Sequence, residues 1–281
     1  RDLIVTGVQT CALPICVDNG KIPKYPVQTV EKALEIIELL TGNQYIDGVS
    51  ISELSKELDL GKSTVHRIIE TMEAKGYIHQ DNDTKKYHLS WKLFELGNSI
   101  PRRRNLFTMD TTLLQALCDK FQETVNMGVR VDDSVVTIHK INPTSSLIAN
   151  LQIGTREALH ATAMGKALMS QMTREEIVKL LGTGPYEQFT SKTIKDVNQL
   201  TENINIIRGR GYSLDDEEYS AGLTCISVPL KNYRNEIVAA ISISGATIRM
   251  TEDKLNEIQK ELKHVAERLS AYLGWQEEDG R

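Results

Sequence analysis

The chain has no run of eighteen apolar residues, so nothing in it reads as a membrane-spanning helix. Cysteine is scarce: four residues, at 11, 16, 118 and 225, without the pairing that metal sites use. Cys118 and Cys225 read as the reduced thiols of a cytosolic protein. A strong charge of one sign is missing as well. The formal net charge is −5, with +1 over residues 21–104 and −5 over residues 105–281. That excludes a broadly basic coat for nucleic acid, and any attraction to phosphate must be local and weakened by salt. Internal repeats and low-complexity tracts are also absent. What is present is ordinary globular composition, 40% hydrophobic and 25% charged, in 281 residues. Such a length supports two domains, each with its own core.

Residues 1–20 carry no initiating Met, and Gly7 and Pro14 break their apolar pieces, which makes a poor signal-peptide core. The stretch resembles translated sequencing-adapter read-through. It is expected to be disordered and non-native, with the native protein starting near Lys21.

From Val27 the pattern is regular. Val30, Ala33, Leu34, Ile37 and Leu40 predict a first helix with one apolar face, ended by Gly42-Asn43. Ser50 and Glu53 form a capping-box pattern, followed at helical spacing by Ile51, Leu54, Ser55 and Leu58. Asp59-Leu60-Gly61 breaks that helix. The next one starts at Lys62 and places Val65, Ile68, Ile69 and Met72 on one stripe. Its outer side holds Lys62, Ser63, Thr64, His66, Arg67 and Thr71, short polar and cationic groups that can reach phosphates and base edges in a major groove. After Gly76, Tyr77–Gln80 and Lys85–Leu89 predict a small hairpin around Asp81–Thr84, with Lys85 and Lys86 set for phosphate. Helix, three-residue turn, helix and basic hairpin together outline a winged helix-turn-helix, in preference to a helical hairpin with a solvated face. A further helix begins at Trp91, and Pro101 followed by Arg102–Arg104 is expected to interrupt it. The arginines read as backbone-contacting or as a solvated linker.

The second half alternates helices and strands. Helices are predicted over 108–123 (with Met109, Leu113, Ala116 and Leu117 as one face), 165–170, 174–181 capped by Thr173, 197–208 ended by Gly209, and 251–273. Strands are predicted over 125–131, 135–141, 147–152, 212–214, 224–230 and 236–244. Antiparallel strands with helices on one face suggest an α+β sensor domain.

Three constellations carry chemistry. Ala163-Met164-Gly165-Lys166-Ala167 looks like a phosphate loop, but His160 and Ala167 stand where the Walker pattern needs Gly and Ser or Thr. What remains is a helix start suited to a small anion. In Ala240–Ser244, alternation turns Ser242 and Ser244 to one face and Ile241 and Ile243 to the other. Two hydroxyls on one face can orient a carboxylate; the alternative is a strand side turned to solvent. Asp215–Glu218 reads as a solvated acidic loop, and Cys225 as a small buried hydrophobe with no His within fifteen residues to activate it. A zinc site from Cys225, Asp215 and His160 is the alternative there.

The chain resembles IclR-type transcriptional regulators over about residues 27–275. The likeness is carried by 61–67 (GKSTVHR), 160–167 (HATAMGKA), 211–218 (GYSLDDEE), 222–229 (GLTCISVP) and 240–245 (AISISG). The resemblance implies an N-terminal winged helix-turn-helix joined by a linker helix to a GAF-like effector domain. The corresponding spans are 21–97, a linker over 98–106, 107–275, and a tail over 276–281. It also implies homodimers or homotetramers on double-stranded, near-palindromic operator DNA, no cofactor, and a small carboxylate effector. The carboxylate would sit on the backbone N–H groups of Ala163 and Met164, with Asp215, Cys225, Ser242 and Ser244 completing the pocket. Ala163-Met164 departs from the Gly-Ala frequent in the family, which narrows or reshapes that pocket. The segments 92–97 (KLFELG) and 138–141 (IHKI) resemble the branch controlling pectin and ketodeoxygluconate catabolism. Two other classes compete with this reading: a hydrolase using Cys225, and a winged-helix module that binds protein.

Overall fold

The computed structural model describes residues 24–103, 111–143 and 152–276, with backbone only at 98 and 100–103. Expectations placed on residues 1–20, Arg104, Met109, the strand at 147–151 and the tail after Gln276 lie outside the described residues. The chain divides between Phe107 and Thr108 into two compact units.

The first unit runs α1 (Gln28–Leu39), a 3-10 turn (Asn43–Tyr45), α2 (Ile51–Glu57), α3 (Lys62–Ala74), β1 (Ile78–Gln80), β2 (Tyr87–Leu89) and α4 (Trp91–Arg103). The Ser50/Glu53 capping box is formed in both directions, which fixes the start of α2. Asp59 ends α2 in the left-handed region at φ 51°. Leu54, Leu58, Val65, Ile68, Ile69 and Met72 close the core with Ile36, Val49, Ile78 and Tyr87. Helix α1 departs from its predicted face: Val30 and Leu34 are about half exposed, while Ile36 is fully buried. Two adjacent apolar rows share Ala33 and Ile37, and the row 33, 36, 37, 40 is the one that faces the core. The hairpin gains an antiparallel bridge, Val49 to Tyr87, that periodicity alone does not predict.

Pro101 does not interrupt α4, which continues to Arg103 and takes in residues 98–103 of the predicted linker. Proline removes the N–H that would reach the Gly97 carbonyl and its ring crowds that carbonyl, a local cost that the helix bears without ending there.

The second unit runs α5 (Thr112–Phe121), β3 (Thr124–Val131), β4 (Ser134–Ile141), β5 (Arg156–Ala158), α6 (Ala163–Leu168), α7 (Arg174–Leu181), α8 (Val197–Arg210), β6 (Ser213–Asp216), β7 (Leu223–Lys231), β8 (Ile237–Ala246) and α9 (Glu252–Tyr272). Two antiparallel meanders join edge to edge in the order β5-β4-β3-β8-β7-β6. Helix α8 passes through Gly209 and ends at Gly211, whose φ of 77° supplies the left-handed cap.

Helices cover both faces of this sheet, not one. Leu159, Met164, Ala167, Leu200 and Ile204 cluster with Val135 and Ala240 on one side. On the other, α5 and α9 pack on β3, β4, β7 and β8. Ile241 and Ile243, fully buried, point there by alternation, and an apolar sheet face of that kind requires a cover. Helix α6 lies close to the chain before it: a Cβ at Gly165 would meet the Leu159 carbonyl oxygen at 2.2 Å, so only glycine fits.

Candidate nucleic-acid interface and effector pocket

In the first unit, α3 presents Lys62, Ser63, Thr64, His66, Arg67 and Thr71 to solvent while its four apolar residues are buried. Its N-cap is Gly61, with no side-chain cap and no acidic residue in the first turn. A helix start ordinarily attracts acids; here Lys62 stands against the positive end of the dipole, an arrangement that favours an external anion. His66 Nδ1 lies 3.4 Å from Glu70, and the Thr71 hydroxyl donates to the Arg67 carbonyl at 2.8 Å, which leaves its oxygen to accept. Thr64, Arg67 and Thr71 also border a groove against α1, beside Val30 and Leu34.

The hairpin tip is ordered by Asp81. Its Oδ1 accepts from the Thr84 N–H at 2.7 Å, the Thr84 hydroxyl at 2.8 Å and the Asp83 N–H at 3.1 Å. Those donors hold the Asp81 carboxyl below the usual range. Lys85, exposed at the tip, adopts a left-handed φ of 57°, and Lys86 follows it, half-buried.

In the second unit, strand register brings together the side chains expected to bind effector. Asp215, Cys225 and Ser244 are direct neighbours across β6, β7 and β8, and Ser242 pairs with Ser227 and Asn126. Paired residues share a face, so all of these side chains lie under α6. Ser242 and Ser244 are 2% and 4% exposed, which rules out the solvent-facing alternative. Asn126 Nδ2 donates to Ser244 Oγ at 3.2 Å, leaving Asn126 Oδ1 buried and without a partner among the described residues. Met164 lies over Gly128, where a Cβ would stand 3.0 Å from its sulfur. The bare backbone at 128 makes room for the methionine. The Ala163 carbonyl accepts from Ser213 Oγ at 2.6 Å, tying the start of α6 to the same face.

The acidic run is not a solvated loop throughout. Asp216 and Glu217 face out and pair with Lys192, whereas Asp215 and Glu218 are buried. Lys166, wholly buried, donates to Glu218 Oε1 and to the Leu214 carbonyl. Asp215 Oδ1 accepts the N–H of Glu218 at 2.7 Å. Burial pushes the Asp215 carboxyl up to about 7, against the pull of Lys166. Glu157, on β5 and bonded to Thr137 at 3.3 Å, is pushed by burial to about 7 as well, with Asp215 adding to the shift. The Tyr219 hydroxyl rises to about 12, chiefly through burial.

Sequence reasoning missed Asn126, Thr137, Glu157 and the Lys166–Glu218 pair. Asn126 carried a signal, being a polar residue inside an apolar strand; Glu157, on a three-residue strand, carried none. The zinc alternative fails: among the described residues no three His, Cys, Asp or Glu side chains group to hold a metal. His160 Nε2 instead lies 2.9 Å from the Glu187 carbonyl. No helix among the described residues is long and apolar enough to cross a membrane.

A helix-turn-helix unit and a separate unit with a buried polar face define a ligand-responsive DNA-binding regulator. The comparisons with known proteins agree. Residues 29–82 match the IclR helix-turn-helix domain, and residues 99–271 match the C-terminal domain of bacterial IclR transcriptional regulators. The chain is 33% identical over 257 residues to the HTH-type transcriptional regulator KdgR of Escherichia coli, covering 92% of this chain and 97% of that one. To KdgR of Dickeya chrysanthemi it is 34% identical, covering 89% and 81%. The crystal structure of the Thermotoga maritima IclR superposes with a TM-score of 0.77 at 29% identity, over 88% of this chain and 99% of that one. The protein belongs to the IclR family of transcriptional regulators, with a DNA-binding helix-turn-helix domain and a C-terminal effector-binding domain.

The raised carboxyls set a pH dependence. A carboxyl whose folded value lies above its unfolded one holds a proton the unfolded chain has lost, so stability falls as pH rises between the two values, here from about 4 to about 7. Glu157→Gln is expected to flatten the fall of the melting temperature between pH 5 and pH 8, read by thermal denaturation. An unchanged slope contradicts this placement of Glu157.

Proposed function

We propose that this regulator senses a small organic or sugar acid on the buried polar face of its second unit and alters operator binding in response. The observation that carries the reading is the set of unsatisfied acceptors there. Asn126 Oδ1 and Glu218 Oε2 are buried without partners among the described residues, beside Ser242, Ser244 and Asp215. A buried acceptor left unpaired is costly, and a ligand bearing hydroxyl donors relieves it. This favours a hydroxylated acid over a bare 2-oxo acid. Its carboxylate would take the N–H groups of Ala163 and Met164, with Cys225 lining the pocket and Met164 narrowing it over Gly128.

On the DNA side, Lys62, Ser63, Thr64, His66, Arg67 and Thr71 would enter the major groove, while Lys85 and Lys86 would hold flanking phosphates. A homodimer or tetramer would match half-sites one helical turn or a multiple apart. Such a protein acts in the cytoplasm, where the operator is. Catalysis by Cys225 is not part of the proposal. Burial holds its thiol well above the usual range, and the His160 ring is engaged with Glu187.

Two experiments test the proposal. Thermal unfolding is measured against a panel of small organic and sugar acids, with and without Ser242→Ala/Ser244→Ala. One acid is expected to raise the midpoint as its concentration rises, and the double variant to abolish the shift. No shift with any acid, or a shift that the variant retains, overturns the pocket. Lys62→Ala is expected to keep or raise the melting temperature while making the log–log salt dependence of DNA affinity shallower by about 1. An unchanged salt slope removes Lys62 from the interface.

A further inference from the structure

One cavity of the second unit belongs to neither candidate site. β6 pairs with β7 only from Thr224 to Ser227, so Val228–Lys231 has no strand on its outer side. A cavity of about 350 Å³ occupies that edge, between the last turn of α8 and the C-terminal half of α9. Its floor is apolar, with Ile207, Val228 and Ala266 all buried.

Its rim is cationic. Arg208, Lys231 and Lys263 line the cavity against a single carboxylate, Glu267. Arg208 donates to the carbonyls of Ser170, at 2.6 Å, and Met172, and Lys263 donates to that of Arg210 at 2.6 Å. Carbonyl acceptors fix these side chains in place without neutralising their charge. Trp275 forms one wall: its Nε1 donates to Asn235 Oδ1 at 3.2 Å, and Lys231 Nζ lies 5.6 Å from its ring centre. An apolar floor, an aromatic wall, a volume of small-ligand size and an excess of fixed positive charge are the components of an anion-selective ligand pocket.

We propose that this cavity is a second ligand site, taking a small organic anion with an apolar body, of the aromatic or branched carboxylate kind. It is independent of the polar face under α6. Binding there would restrain the ends of α8 and α9 together, giving the regulator a second input.

The chain contains two tryptophans, so Trp91→Phe leaves Trp275 as the sole emitter. The full chain carrying this change is titrated with benzoate, 3-phenylpropanoate and 4-methylpentanoate. At least one is expected to change Trp275 emission saturably. Lys263→Gln and Lys231→Gln are each expected to weaken that binding about tenfold, the scale of one hydrogen bond to a charged group. Glu267→Gln is expected to tighten it by up to about fivefold, a gain that misfolding cannot produce. Ser242→Ala/Ser244→Ala is expected to leave it unchanged. No saturable response to any probe overturns the proposal, as does a response that survives both lysine changes or disappears with the serine pair. A response that appears only after residues 277–281 are removed also overturns it, because the cavity then belongs to the chain's own acidic end, Glu277-Glu278-Asp279.

Discussion

The sensor unit depends on one buried ion pair, Lys166 with Glu218. Lys166 has no exposed surface, and a lone ammonium at that depth would cost several kcal/mol. It is compensated by Glu218 and the Leu214 carbonyl, and the bond fixes α6 to the turn after β6. That turn is held from the other side, since the Glu218 carbonyl accepts from Thr193 Oγ1 at 2.6 Å and its N–H donates to Asp215. Helix α6, strand β6 and the segment before α8 thus meet on one residue. Removing either charge would strand the other and free the start of α6 from the turn after β6.

The same constraint explains why the face under α6 is polar. One buried cation sits among Glu157, Asp215 and Glu218, too few positive charges for all three acids to be ionised in a dry interior. Burial raises Glu157 and Asp215 to about 7, with the Asp215 charge adding to the shift at Glu157 and the Glu218 charge adding to that at Asp215. On the reverse of the sheet, Ile241 and Ile243 are fully buried and add a second apolar layer to the cluster that surrounds α6. Along β8 polar and apolar side chains alternate between the two sides of the sheet, residue by residue.

The degree to which this was legible in the sequence follows the range of the interactions. Capping at Ser50, the stripe 65, 68, 69, 72 and the alternation of Ser242 and Ser244 with Ile241 and Ile243 are local, and each matches the structure. Helix α1 offered two equally periodic rows, and only the tertiary contacts of Ile36 select between them. The cover on the second sheet face, the neighbour relation of Asp215, Cys225 and Ser244, and the burial of Glu157 and Glu218 are set by strand order. Periodicity does not encode strand order. Pro101 reads as a breaker because proline lacks a donor and crowds the preceding turn, yet α4 passes through it; that local cost alone does not decide where a helix ends.

A DNA-binding domain and an effector-binding domain in one chain allow effector and operator to be read in one equilibrium. Linkage then requires the coupling to be reciprocal, typically about 1–3 kcal/mol. The most direct measurement is effector affinity by calorimetry, on the full chain alone and on the chain saturated with selected operator DNA. The predicted result is a change in effector affinity equal to the factor by which effector changes operator affinity. Identical effector affinity in the two states, with an effector that does alter DNA binding, would contradict it.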